Sequence, residues 1–322
     1  MEPTRFYAEI ADAPEGTRAF RLSASDGVAV RVAHMPSDQK KGTVLLFPGR
    51  TEYIEKYGRV GSDLAASGYD TLAIDWRGQG LADRLLPEIR IGHVGIFTDY
   101  QRDVEAMVSA AEALDLPKPW FLLAHSMGGC IGLRSLMNGL PVAAAAFSGP
   151  MWGIQFSSMM RPAAWALSWS GTKMGLGGRC APGTKAESYI ATEKFETNLL
   201  TRDAETFEWM QAQVAADPGF QLGGPSLQWV NAALVECRDL AARRSPDLPC
   251  LCFYGANERI VDTTRIEARM AAWPKGEIMR IENAEHEVLM EVASSRKKAL
   301  DAAVRLFESV RNGAETQAAA SA

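Results

Sequence analysis

Cysteine is scarce and poorly placed for cross-linking. The five residues among 322 are scattered, and Cys250 and Cys252 share one strand-like run, so they point the same way and do not bridge. They form no disulfide framework, and no Cys/His spacing matches a zinc site. Histidine is scarcer still, with only His34, His93, His125 and His286. No run approaches the roughly 18 uninterrupted apolar residues of a membrane span, and residues 1–20 hold acids and prolines without the apolar stretch of a signal peptide. Excess basic charge is missing too. A formal net charge of -5 argues against nucleic acid and against electrostatic docking on anionic lipid. Gly78-Gln79-Gly80 lacks the third glycine and the following helix of a dinucleotide site, and no P-loop pattern occurs. These absences leave the expectation of a reduced, cytoplasmic protein.

What is present is ordinary globular material, 47% hydrophobic, in a recurring order. Strand-like runs at 19–22 and 28–33 flank an Asp26-Gly27 turn and predict an opening antiparallel pair. Apolar runs at 43–47, 71–74, 120–123 and 142–147 then alternate with helix-like stretches at 53–67, 100–114 and 130–138. Strands that are apolar on both faces and separated by helices predict an α/β fold with a mostly parallel, doubly wound sheet. Runs at 250–254 and 277–281, with helices at 263–273 and 294–310, resume the pattern.

Between 149 and 235 the rhythm changes to helix-like segments alone, and five of the eight tryptophans fall there. The division expected is a core from 1–148 and 236–310, a helical cap insertion at 149–235, and a disordered polar tail at 311–322. Met151, Trp152, Phe156, Met159 and Met160 come first in the insertion, where they can line an apolar channel for substrate.

The organising stretch is Ala124-His125-Ser126-Met127-Gly128, between the strand at 120–123 and the helix that follows. Small residues two before and two after a serine allow the sharp strand-to-helix turn that aims its hydroxyl outward. Such a serine needs a base to take its proton and a carboxylate to hold the base. In this topology the order along the chain is serine, acid, histidine. Only His286 follows Ser126. The acid is expected just past the strand at 250–254, where Glu258 is the first choice; Asp262, the alternative, stands where it would cap the next helix. Backbone amides of Met127 and of Arg50, in the loop after 43–47, are the expected oxyanion donors. His34 and His125 are read as structural.

Pro48-Gly49-Arg50-Thr51-Glu52-Tyr53, Asp75-Trp76-Arg77-Gly78-Gln79-Gly80, His93 to Tyr100, His125-Ser126-Met127-Gly128-Gly129 and Ser148-Gly149-Pro150-Met151 together resemble the successive boxes of the lysophospholipase and monoacylglycerol lipase family of serine α/β-hydrolases. The order and spacing match from about residue 20 to residue 310. In most of that family the loop begins His-Gly and the acid is Asp. Pro48-Gly49 and Glu258 are closer to its bacterial lysophospholipase branch. The resemblance implies no cofactor, no metal, and hydrolysis of carboxylic esters of monoacyl lipids through an acyl-enzyme. Two other readings stand beside it: an esterase or thioesterase for small acyl groups, and a non-catalytic ligand-binding scaffold. The Trp- and Met-rich cap either touches a membrane face or packs on its own helices.

Overall fold

The computed structural model describes residues 1–157 and 160–321. The chain opens with β1 (Glu2–Thr4), a short helix α1 (Ala8–Ala11), and the hairpin of β2 (Arg18–Ser23) and β3 (Ala29–Met35). It then alternates β4 (Thr43–Phe47), α2 (Gly58–Ala66), β5 (Asp70–Asp75), α3 (Tyr100–Ala113), β6 (Trp120–His125), α4 (Met127–Met137) and β7 (Ala145–Ser148). Helices α5 (Met160–Lys173), α6 (Tyr189–Thr192), α7 (Ala204–Ala216) and α8 (Leu227–Ala241) come next, with no strand among the described residues between them. The fold closes with β8 (Cys250–Gly255), α9 (Thr263–Ala271), β9 (Gly276–Ile281) and α10 (Ala293–Ser321).

The nine strands of the described residues form one sheet in the order β1-β2-β3-β5-β4-β6-β7-β8-β9. The pairs from β1 to β5 are antiparallel, and β5-β4, β4-β6 and every pair onward to β9 are parallel. From β4 the chain moves outward to β5 and then returns to the other side of β4 as β6. A crevice therefore opens beyond the carboxyl ends of β4 and β6, where α/β sheets bind their ligands.

Alternation along the strands builds two cores, one on each face. Leu45 and Phe47 of β4 join Leu122 of β6 in a core with α3, α4 and α9, while Val44 and Leu46 join Phe121 and Leu123 in a core with α2 and α10. Phe121 stacks on Phe307 of α10, ring centroids 4.5 Å apart.

Several boundaries differ from expectation for local reasons. β1 was not foreseen, because its three residues are all exposed and carry no apolar pattern. The run at 142–147 pairs as a strand only from Ala145, since the Val142 amide turns back to the Leu140 carbonyl at 2.8 Å. The expected tail continues α10 as helix to Ser321, in keeping with the high helix propensity of Ala, Glu and Gln. The cap boundary expected at 235 falls inside α8, whose Cys237 and Leu240 pack into the sheet core. No described helix is long and apolar enough to cross a membrane.

Candidate active site

Ser126 directly follows β6 and stands at the N-cap position of α4 with φ 50° and ψ -116°, a strained conformation for a residue with a side chain. Neighbouring backbone holds it there: its amide donates to Ser148 O at 3.0 Å, and its carbonyl accepts the Gly129 and Met151 amides at 2.9 and 2.8 Å. Gly128 is needed for space. A Cβ on it would lie 2.1 Å from Phe47 O, so the turn packs directly on the end of β4.

The structure brings Ser126, His286 and Glu258 into one hydrogen-bonded chain. Ser126 Oγ lies 2.9 Å from His286 Nε2, and His286 Nδ1 lies 2.6 Å from Glu258 Oε2. The other Glu258 oxygen accepts the Ile260 and Val261 amides at 2.7 and 3.1 Å, which fixes the carboxylate. Burial alone would depress the His286 pKa, but the Glu258 carboxylate and its hydrogen bond outweigh it and raise the value. Burial likewise opposes ionisation of Glu258, yet His286 and the two amides bring its pKa below the usual range.

Asp262 is placed elsewhere. Its Oδ2 accepts Arg161 Nη2 at 2.8 Å and its Oδ1 accepts the Thr264 hydroxyl at 2.5 Å. It occupies the N-cap position of α9, but its side chain caps no amide, because these two partners already take it.

The loop after β4 is pinned from below. Trp76 Nε1 donates to Pro48 O at 2.9 Å, Gln79 Nε2 donates to Gly49 O at 2.8 Å, and the Gly49 amide donates to Glu52. Thr51 carries φ 68°, unusual for a β-branched residue. The Arg50 and Met127 amides donate to no described residue, which leaves both available to a ligand oxygen.

Beneath this loop lies a cluster that the sequence did not reveal. Lys56 Nζ is 2.8 Å from Glu52 Oε1 and 2.7 Å from Glu287 Oε2, tying the loop after β4 to the residue next to His286. Burial disfavours the charge on Glu52, but Lys56 and His125 bring its pKa down to about 2; the two carboxylates likewise raise Lys56 against its burial. Glu52, His125 and Glu287 offer donor atoms within 4.8 Å of one another, a set that suits a cation, and Lys56 supplies that cation. His125, read from the sequence as structural, lies beside the site. Its ring lies 4.8 Å from that of His286, its Nδ1 is 2.9 Å from Ser148 O, and burial lowers its pKa to about 4, so it is neutral. His34 pairs with Asp70 at 2.8 Å, far from this chemistry in the opening hairpin.

A cavity of about 780 Å³ opens over Ser126. Met151, Phe156 and Met160 line it, as do Leu167 of α5, Trp229 of α8, and Leu222 in the loop before α8. Trp152, expected in the channel, is instead core: its Nε1 donates to Gly129 O at 3.1 Å, and its ring packs between Phe147 and Trp273. One residue of polar backbone to satisfy and two rings to stack draw it inward. Met159 lies outside the described residues. Leu167 and Trp229 were missed because they lie far along the insertion, where only folding shows which helix faces reach the serine.

Comparison with known proteins matches residues 38–293 to the family model described as serine aminopeptidase, S33. Lysophospholipase L2 of Escherichia coli (strain K12) is 32% identical over 294 residues, covering 88% of this chain and 85% of that protein. The probable lysophospholipase L2 of Haemophilus influenzae is 30% identical, with 87% and 88% covered. Among solved structures, a soluble variant of monoglyceride lipase from Saccharomyces cerevisiae in complex with a substrate analog superposes with TM-score 0.69 at 19% identity, over 90% of this chain and 94% of that one.

Proposed function

The chain belongs to the serine hydrolase family described as serine aminopeptidase, S33, and from that premise, with its likeness to lysophospholipase L2, we propose that it hydrolyses the carboxylic ester of a glycerolipid bearing one acyl chain. Ser126 Oγ attacks the ester carbonyl as His286 Nε2 takes its proton, and Glu258 holds the imidazole and stabilises its cation. The Arg50 and Met127 amides receive the oxyanion. Collapse expels the glycerol-side alcohol with the proton returned by His286, and a water activated by the same imidazole releases the fatty acid.

The observation that carries this reading is the apolar cavity of about 780 Å³ that includes Ser126. Residues 149–241 serve as the cap that walls it, with Met151, Phe156, Met160 and Leu167 along the acyl chain. A peptide's free ammonium fits less well. The buried carboxylates lining the cavity, Glu52 and Glu287, are already held by Lys56. Exposed Leu167, Trp169 and Met174 on and just after α5 support peripheral contact with a lipid surface. All five cysteines are free, which supports a reducing compartment.

The test is kcat/KM for p-nitrophenyl esters from acetate to palmitate, below their micellar concentrations. Each buried methylene contributes about 0.8 kcal/mol, so three or four added methylenes raise the value roughly a hundredfold while the channel fills. A flat profile, or an optimum at acetate, overturns the long-chain reading in favour of a small-ester hydrolase. A folded protein that takes no fluorophosphonate label at Ser126 is a scaffold and not an enzyme.

A further inference from the structure

Among the described residues three arginines are buried, and each holds two carboxylates: Arg31 binds Glu55 and Asp75, Arg77 binds Asp26 and Asp103, and Arg134 binds Glu236 and Asp239. The half-buried Arg84 and Arg269 instead spend their donors on several backbone carbonyls. Arg50 does neither. Among the described residues its guanidinium makes one hydrogen bond, Nη1 to Gly223 O at 2.8 Å, and it has no carboxylate partner. It lies 5.5 Å from the ring of Trp229, which is itself fixed by donating to the Tyr100 hydroxyl at 3.2 Å. Arg50, Gly223 and Trp229 all line the cavity that contains Ser126.

We propose that the Arg50 guanidinium binds the phosphate of the substrate's head group and is the residue by which this site favours a phosphorylated monoacyl lipid over a neutral one; this rests on the ester-hydrolase reading above. Guanidinium is suited to the task, because its planar fork meets phosphate oxygens with two parallel donors. The covalent spacing also fits. From the Arg50 amide, which receives the ester oxyanion, to its guanidinium carbon there are as many bonds as from the ester carbonyl carbon to the phosphorus of a 1-acyl glycerophospholipid. One residue thereby serves both ends of the polar half of the substrate, while the acyl chain runs toward Met160 and Leu167.

The electrostatics agree with the geometry. Burial pushes the Arg50 pKa down to about 10, with no carboxylate to restore it, so the group stays charged at neutral pH but lacks an anion. A phosphate supplies that anion. Lys185 and Glu187, which also line the cavity, are exposed at its rim, where water screens them.

The experiment compares kcat/KM for 1-acyl-glycerol 3-phosphate with that for the 1-monoacylglycerol of the same chain, below micellar concentrations, in the wild type, Arg50→Lys and Arg50→Gln. The readout is the ratio of the two substrates, because the Arg50 amide also serves the oxyanion and absolute rates can move with it. The wild type should favour the phosphorylated lipid, and the ratio should fall about ten- to a hundredfold in Arg50→Gln, with Arg50→Lys between them. A ratio that Arg50→Gln leaves unchanged overturns the assignment while leaving the hydrolase reading intact. Inorganic phosphate is added to the monoacylglycerol assay as a separate arm. If it inhibits the wild type but not Arg50→Gln while the lipid ratio stays unchanged, Arg50 serves a free anion and the lipid assignment falls. A wild type that cleaves a p-nitrophenyl ester but neither lipid overturns the monoacyl-lipid reading and this one with it.

Discussion

The two sides of Ser126 are built from opposite materials. On the sheet side, charges are buried and paired: Lys56 sits between Glu52 and Glu287, and Arg31 holds Glu55 and Asp75 at 2.6 and 2.7 Å. On the cavity side, α5 leaves Met160, Leu167 and Trp169 between 51% and 61% exposed, and its buried residues are only Ser168 and Gly171. Buried ion pairs have little freedom, since breaking one strands a charge in a medium that solvates it poorly. Apolar side chains at a surface have many near-equivalent arrangements. The site thus joins a stiff base of paired charges to an adaptable apolar wall, which in the proposed function receives the acyl chain.

The comparison breaks first where the base touches the reaction. Ser126→Ala or His286→Ala should lower turnover by about four to six orders of magnitude, measured on a soluble ester, with an unchanged melting temperature showing that the fold survives. Wild-type-like hydrolysis by either variant removes both from the mechanism. Next in size, Glu258→Gln should lower kcat by about three to four orders of magnitude, whereas Asp262→Asn should stay within about tenfold, because Glu258 alone orients His286. The reverse ranking in folded proteins reassigns the acid. The same variant has a pH signature. In the proposed mechanism His286 is a neutral base; burial tends to lower its pKa while Glu258 raises the net value, so the acid limb of kcat/KM should lie above about 6.5. Removing the carboxylate should move that limb to lower pH; an unmoved limb shows that another group controls it.

Lys56→Met sharpens the contrast in stability. It strands Glu52 and Glu287 without their cation, at a cost of about 3–5 kcal/mol in chemical denaturation. A loss below about 1 kcal/mol would mean that the base is not electrostatically stiff. On the opposite wall, Leu167→Ala should alter stability by no more than about 0.5 kcal/mol, yet lower kcat/KM for a long-chain ester about fivefold relative to a short one. An equal loss on both esters would show that Leu167 supports the fold and not the substrate.

What the sequence made legible was local. Ser126 can be singled out because its turn is written in five consecutive residues, and β4, β6 and β8 because strands buried on both faces are short apolar runs. Glu258 and His286 follow from chain order once the turn is recognised. The Lys56–Glu287 pair spans 231 residues and carries no periodic signal, although Glu52 lies within a stretch already singled out. Trp152 shows the converse limit. Its neighbours Met151 and Phe156 line the cavity, but composition cannot say which aromatic of a rich segment turns inward.

Helix α8 ties one wall of the chamber to the helix that carries the serine. Its Trp229 faces the cavity, while Glu236, farther along, clamps Arg134 of α4 at 2.6 Å, the helix that begins beside Ser126. Helix α7 is likewise rooted, through Phe207 and Met210 in the core beneath the sheet. Two sides of the chamber are therefore masonry, continuous with the foundation, and α5 is the panel that hangs from its neighbour α8. Helix α5 is thus the least rooted wall, and its amides should exchange with deuterium faster than those of α7 and α8.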